Sequence, residues 1–338
     1  MMKSMLSRIL ILSLLCAVFL ATVPAAEAET AVDACGLRGW DPEAGYQYVI
    51  MGYYPYEKDE TKAPVLWQVL GVEDGKAMLL TTYIIDVHQP IEVSDPKIAD
   101  AHKFPNISSY SETDLYVWLN DTMINDLLGD EPVLAAVTEE EGYGRLYPPT
   151  DYDMLKDEYG FTHVRYYEQR SRWAFATPYT LNKKLHPKYG SKVQKDPKKG
   201  TSSYWLAALK RDDRKGNEIK GKKLQICAGL EDSHKPNDTN IGHLSNAYMN
   251  RTTVGLRLAV RLDTSHIQVI SGNGSIWDPC RLAYVEDKEA DEKVVLTPPV
   301  RPEPTPVATT PAPVKDRPTL ETPGPHVTPV PVPDWITD

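Results

Sequence analysis

Apolar side chains follow four different patterns along the chain. Ile9–Val23 is a nearly continuous apolar run. Between Tyr46 and Ile85 apolar positions come in short blocks bounded by turn residues, which predicts three strands. These are Tyr46–Gly52, Val65–Leu70 and Ala77–Ile85, with Glu73-Asp74-Gly75-Lys76 as the turn between the last two. From Ser111 to Leu128 the spacing changes. Leu115, Trp118, Leu119, Met123, Leu127 and Leu128 recur every three to four residues, which predicts the main helix. Ser111 stands at its N-cap, Glu112 and Asp114 fall in its first turn, and Gly129 ends it. A shorter helix is expected over Tyr152–Tyr159, capped by Thr150 or Asp151 and stopped by Gly160.

The strand pattern then returns over Ser203–Leu209, Lys222–Ala228, Val254–Leu262 and Ile267–Ile270. Gly272-Asn273-Gly274-Ser275 has the chemistry of a tight hairpin turn. Beyond Thr297 periodicity stops, and Pro alternates with Thr, Val and Ala. Strands, one main helix and long Gly/Asn/Asp-rich connections make an α+β fold.

The two ends set the organisation. Lys3 and Arg8 precede the first apolar run, and Ala26-Glu27-Ala28 supplies small residues for cleavage. Residues 1–28 therefore read as a secretory signal peptide, and no transmembrane span is expected in the mature chain. Of 28 prolines in 338 residues, 13 lie between Pro298 and Pro333. Proline fixes φ and removes a donor, so residues 294–338 read as a disordered, extended spacer. Residues 29–293 remain for a single domain, secreted or held at the cell surface.

Charge is uneven. The chain carries −10, yet Lys183–Lys223 holds 14 Lys and Arg against four acids. A basic stretch can bind an acidic polymer, or it can be a solvated loop that balances an acidic body. Export and the lack of interleaved aromatics exclude nucleic acid as the partner. Cysteine usage fits an oxidising compartment. Removal of the signal peptide leaves Cys35, Cys227 and Cys280. Cys35 and Cys280 flank the domain and are the expected disulfide, while Cys227 lies in an apolar strand and is expected to be buried and inert.

Candidate chemistry is sparse. Nineteen Tyr and 7 Trp stand against 4 Phe, and Tyr and Trp suit partly wet recognition surfaces. Tyr53, Tyr54, Tyr56, Tyr166, Tyr167 and Trp173 fall in loop-like stretches and are the candidate ligand-binding residues. Packing of an irregular core is the competing role for them. Asn237, Asp238 and Asn240 carry the oxygen ligands that Ca²⁺ prefers, although an Asx-rich turn has the same composition. Asp86, His88, Asp100 and His102 share one polar segment, where solvent exposure is the simpler expectation. No phosphate-cradling glycine motif and no G-x-S-x-G occurs.

Several segments together show a resemblance. Trp67-Gln68-Val69-Leu70 with Met78-Leu79-Leu80 is similar to a W-x-V-L…LL strand pair. Ser111–Asn120, ending in Trp118-Leu119-Asn120, is similar to an S-x-L-R-x-W-L-N helix. Tyr204-Trp205-Leu206 is similar to a W-W-L-R block, with Ala207 in place of the arginine. Val254-Gly255-Leu256-Arg257-Leu258-Ala259 is similar to a G-V-R-P-A ending, with Leu258 in place of the proline. In this order they resemble an uncharacterised bacterial extracellular domain family of unknown function. Gly255-Leu256-Arg257-Leu258-Ala259 also resembles the G-F-R-L-A ending of formylglycine-generating-enzyme-type domains. The resemblance implies a C-type-lectin-like fold, with antiparallel sheets, one main helix, long irregular loops and adjacent N- and C-terminal strands.

Two functions follow as expectations. One is a non-catalytic module that binds a glycan, an anionic cell-wall polymer or a surface protein. The other is an extracellular enzyme, either a formylglycine-type oxidase relative or a hydrolase. A formylglycine-type site needs a cysteine pair, and Cys227 stands alone, so no catalytic residue is carried over.

Overall fold

Strands β1 (Gln47–Pro55), β2 (Lys62–Glu73) and β3 (Lys76–Thr81) form the antiparallel meander that the sequence predicts. The structure is a computed structural model and describes residues 35–91, 106–166, 169–183, 201–210, 221–229, 241–251 and 253–286. The β2–β3 turn places Asp74 and Gly75 at φ of 51° and 71°. Two consecutive left-handed residues match the twist of the flanking strands, which is why Asp-Gly serves here.

Two sheets share the core. The first is six-stranded, in the order β10-β11-β1-β2-β3-β9, where β9 is Ala259–Asp263, β10 is Ile267–Ser271 and β11 is Cys280–Tyr284. The second is five-stranded, in the order β4-β8-β5-β6-β7. There β4 is Asp86–Val87, β5 is Tyr204–Leu209, β6 is Lys223–Cys227, β7 is Leu244–Tyr248 and β8 is Gly255–Leu256. Most pairings are antiparallel, but β1 pairs with β11 and β5 with β8 in parallel. The first and last strands of the fold are therefore neighbours. Strand β5 is buried at every position, because it lies inside its sheet and is covered on both faces.

The predicted strand Val254–Leu262 is divided. β8 belongs to the second sheet and β9 to the first, and the chain crosses between them at Arg257-Leu258. The predicted third strand likewise stops at Thr81, and the chain passes to β4 in the second sheet. The two crossings are bonded to each other. Thr81 donates its N–H to Leu258 O at 2.8 Å, and Leu258 N–H donates to Thr81 Oγ1 at 2.9 Å. Arg257, 2% exposed, donates Nε–H to Thr81 O at 2.7 Å and Nη2–H to Gln68 Oε1 on β2. Its guanidinium lies 5.7 Å from the ring centroid of Tyr204 on β5. One side chain thus contacts both sheets.

The main helix, α1, runs through Asp114–Trp118, Leu119–Met123 and Ile124–Leu128. Its N-cap is Thr113, not Ser111: Thr113 Oγ1 accepts from Tyr116 N–H at 3.1 Å, and Tyr110–Glu112 forms a separate 3-10 turn. Its middle turn, Leu119–Met123, widens to π geometry. Asn120 in that turn accepts from Arg145 N–H at 2.7 Å and Leu146 N–H at 3.2 Å, and donates to Tyr116 O at 3.0 Å. The Trp118-Leu119-Asn120 motif is thereby explained as structure. Trp118 stacks on His88 at 4.3 Å, Leu119 is buried, and Asn120 fastens the 145–146 segment. Strand β1 meets α1 at Gly52, where a Cβ would lie 2.3 Å from Leu127 O, so any side chain would push the helix away. The expected helix Tyr152–Tyr159 is instead two 3-10 turns, Asp153–Leu155 and Asp157–Tyr159. Tyr152, not Thr150 or Asp151, is the N-cap of the first, without a side-chain bond; Thr150 and Asp153 bond each other, Asp153 N–H donating to Thr150 Oγ1 at 3.0 Å and Thr150 N–H to Asp153 Oδ2 at 2.9 Å.

The expected Cys35–Cys280 bridge is not formed; Cys35, Cys227 and Cys280 are all buried thiols. An amide joins the ends instead. Gln47 Oε1 accepts from Arg38 N–H at 2.7 Å, while Nε2 donates to Gly36 O at 3.3 Å and to Cys280 Sγ at 3.4 Å. Burial raises the Cys280 thiol pKa, which keeps it protonated and unreactive. Cys227, wholly buried, is pushed up to about 11 by desolvation and is inert as expected.

Arg257→Ala should lower stability by about 3 kcal/mol or more, since it opens a cavity and leaves Thr81 O and Gln68 Oε1 without a donor. A urea-unfolding midpoint close to that of the parent protein would contradict this.

Candidate functional site

The candidate tyrosines separate into buried and exposed groups. On β1, alternation sends Tyr53 outward, 48% exposed, and Tyr54 inward, 8% exposed. Tyr56 is also buried. Tyr54, Tyr56 and Tyr83 line an apolar cavity of about 20 Å³ with Val65, Leu66 and Thr177. That is room for about one water and too small for a sugar ring. Tyr54 and Tyr56 are thus buried, and Tyr54 belongs to β1 and not to a loop.

A titratable cluster adjoins this cavity. Asp86 is fully buried, and its Oδ2 accepts the Tyr54 hydroxyl. Its Oδ1 lies 2.6 Å from Lys183 Nζ, at the end of helix α2 (Pro178–Asn182). The Lys183 ammonium sits 5.3 Å from the Tyr179 ring centroid, and Tyr179 meets Tyr54 edge-on at 6.1 Å. Burial, and then the Asp86 charge, drive the Tyr54 pKa far above the usual phenol range. Burial alone would lower Lys183, but the charge and hydrogen bond of Asp86 outweigh it and raise the pKa. Tyr54 thus stays neutral and Lys183 charged. The cluster ties α2 to β4, and its protons are committed to that tie.

The larger opening lies at the far edge of the second sheet. Strand β7 is last in the strand order, and a groove of about 600 Å³ runs beside it. Lys223, Asn246, Ala247, Tyr248, Asn250, Arg251 and Thr253 line it. Lys223 on β6 pairs directly with Tyr248 on β7, and its Nζ lies 4.2 Å from the tyrosine ring centroid. Asn246 and Tyr248, two residues apart, point to one face, and both are exposed. The strand itself is anchored from the other side: Ala247 is buried, and the adjacent Met249 is fully buried and donates N–H to Lys222 O at 3.1 Å. Beyond β7 the chain turns, with Arg251 N–H donating to Tyr248 O at 3.0 Å and Arg251 Nε–H to Thr253 Oγ1 at 3.1 Å. The groove thus combines one aromatic face, two amides, one hydroxyl and two cations on a backbone held by the core.

Two expected residues come close to this edge. Tyr166 is 47% exposed, and its neighbour Arg165 accepts Leu244 N–H at 2.9 Å, at the start of β7. Trp173 is half-buried and donates Nε1–H to Ile241 O at 3.3 Å. Tyr53 lies on β1 in the other sheet. Tyr167, the Ca²⁺ candidates Asn237, Asp238 and Asn240, and His102 lie outside the described residues, as does most of the Lys183–Lys223 stretch. Among the described residues no cluster of three or more His, Cys, Asp or Glu is placed to hold a metal. Among them, too, no helix is long and apolar enough to cross a membrane.

Sequence reasoning missed Tyr248. Leu244-Ser245-Asn246-Ala247-Tyr248 lacks the apolar alternation that marks a strand. No family model, curated protein or solved structure matches the chain.

The Tyr54–Asp86–Lys183 cluster predicts an alkaline limit to stability. Tyr54 and Lys183 both have folded pKa values above their unfolded values of 10.0 and 10.5. Their contribution is therefore complete below about pH 10 and is lost as pH rises through the folded values. Urea-unfolding midpoints should fall from about pH 10 upward, and Tyr54→Phe should make that fall shallower. An alkaline slope unchanged by Tyr54→Phe would count against the cluster.

Proposed function

We propose that the protein is a secreted or surface-displayed binding module, without catalysis, that takes a glycan in the groove beside β7. The single observation that carries this reading is the exposed Tyr248 ring, backed by Lys223 and flanked by Asn246, Asn250 and Thr253. A sugar presents an apolar C–H face and a rim of hydroxyls. The first suits an aromatic face, and the second suits amide and hydroxyl side chains that both donate and accept. The groove volume falls within the range of small-molecule sites.

Display outside the cell is the companion part of the proposal. The export signal in residues 1–28 and the proline-rich spacer in residues 294–338 support it. A lectin-like fold is proposed on the same basis as the sequence resemblance, and the pairing of β1 with β11 is in keeping with it.

Tyr248→Ala should weaken glycan binding about tenfold, roughly 1.4 kcal/mol, while leaving the unfolding midpoint nearly unchanged because the ring is 37% exposed. A glycan array followed by titration calorimetry on the strongest hit measures this. Binding that is indifferent to Tyr248→Ala would overturn the groove as the site.

A further inference from the structure

We propose that the β10–β11 hairpin carries a second saccharide contact, in which a neutral sugar ring stacks on Trp277 and its hydroxyls bond Asn273, Ser275 and Asp278. The inference adds a new site to the glycan-binding reading and rests on it. Its first support is exposure. Trp277 stands in the connection between β10 and β11 and is 57% exposed. The other described tryptophans, Trp40, Trp67, Trp118, Trp173 and Trp205, are buried or half-buried. Folding draws stability from an indole by burying it, and most of this ring is left in water. Trp combines a large apolar face with one donor, which suits a partly wet recognition surface.

The second support is a backbone already fixed. Asn273 N–H donates to Asp278 O and to Asp278 Oδ2, both at 3.0 Å, and Gly274 N–H donates to Asp278 O at 3.0 Å. Ser275 N–H donates to Asn273 Oδ1 at 2.8 Å, and Asp278 N–H to Ser275 Oγ at 3.1 Å. The connection is also tied to the sheet, since Tyr48 N–H on β1 donates to Gly274 O at 2.8 Å. A contact surface ordered before binding loses little conformational entropy when the ligand arrives.

The third support is the polar rim. Asn273, Ser275 and Asp278 are all exposed, and the turn uses only part of what each can bond. Asn273 engages Oδ1, and its Nδ2 donors take no part in these bonds. Asp278 engages Oδ2 and leaves Oδ1 as an acceptor, while Ser275 accepts through Oγ and keeps its hydroxyl proton to donate. Donors and acceptors beside one aromatic face match the hydroxyl rim and C–H face of a sugar. The one charge within Ser271–Pro279 is the Asp278 carboxylate, which disfavours an acidic sugar. Strand β11 belongs to the first sheet and the groove beside β7 to the second, so the two contacts can be altered separately.

The test titrates cellohexaose, maltohexaose, chitohexaose and the strongest hit of a glycan array against the whole protein. Binding should shield part of the tryptophan fluorescence from acrylamide. Trp277→Ala should remove that shielding and weaken binding about tenfold. Trp277→Tyr should keep most of the affinity, because an aromatic face is retained. The urea-unfolding midpoint of Trp277→Ala should stay close to that of the parent protein, since the ring is largely exposed. Binding abolished by Tyr248→Ala but unchanged by Trp277→Ala would overturn the hairpin contact and leave the groove intact. Binding weakened by Trp277→Ala but unchanged by Tyr248→Ala would support the hairpin contact and overturn the groove. No sugar bound by the parent protein would sink both.

Discussion

A guanidinium sealed between two sheets sets the frame of this protein. Arg257 sits where the chain leaves one sheet for the other, and it donates to two neutral oxygens, Thr81 O and Gln68 Oε1. Its Nη1 is buried without a hydrogen-bond partner. Burying a charge on such terms is costly, and it persists only where the surrounding structure overdetermines it. Here the overdetermination is visible. The Thr81–Leu258 bonds close the two crossings against each other, and the Tyr204 ring faces the guanidinium from the second sheet. Arg172 repeats the arrangement further out. It is fully buried and donates to Met154 O, Thr162 O and Gly242 O, so it fastens three segments that lie outside the two sheets. Burial lowers its pKa. Irregular connections are held here by arginine bonded to backbone carbonyls, and the three described cysteines form no disulfide.

Much of the fold is legible in the sequence for local reasons. β1, β2 and β3 follow from apolar blocks separated by an Asp-Gly turn, and α1 follows from its repeat of Leu, Trp and Met. These signals need only neighbours in sequence. The failures are non-local. Val254–Leu262 reads as one strand because nothing in its composition marks a change of sheet; the division is dictated by the partners of Arg257, 189 and 176 residues earlier in the chain. The Cys35–Cys280 pairing had the right topology and the wrong chemistry. The two ends do meet, but Gln47, placed at the start of β1, supplies the amide that joins them.

The candidate site was the least legible part, and the reason is physical. Tyr54 and Tyr56 look like exposed aromatics because Pro55 separates them and charged residues follow. Their burial depends on Tyr83 and Thr177, which are distant in sequence. Tyr248 is the reverse case. Its strand carries Ser245 and Asn246 and lies at the edge of its sheet, so only Leu244 and Ala247 are required to be apolar. A strand at the end of its sheet can be polar because fewer of its residues must pack in the core, and the same relief removes the periodic signal by which strands are found.

The separation between the core and the β7 edge has a consequence for function. Residues that carry stability, such as Arg257, Gln47 and the Asp86–Lys183 pair, lie outside the groove lining. Of the groove lining, Ala247 is buried, and the adjacent Met249 is fully buried beneath it. Changes at Asn246, Tyr248, Asn250 or Arg251 can therefore reshape the groove without unfolding the protein. Strand β7 pairs with β6 over all five of its residues, from Lys223↔Tyr248 to Cys227↔Leu244, so its register is set by backbone bonds that any side chain permits. The parallel β1–β11 pairing brings the first and last described strands together in the first sheet, while the groove lies along the second.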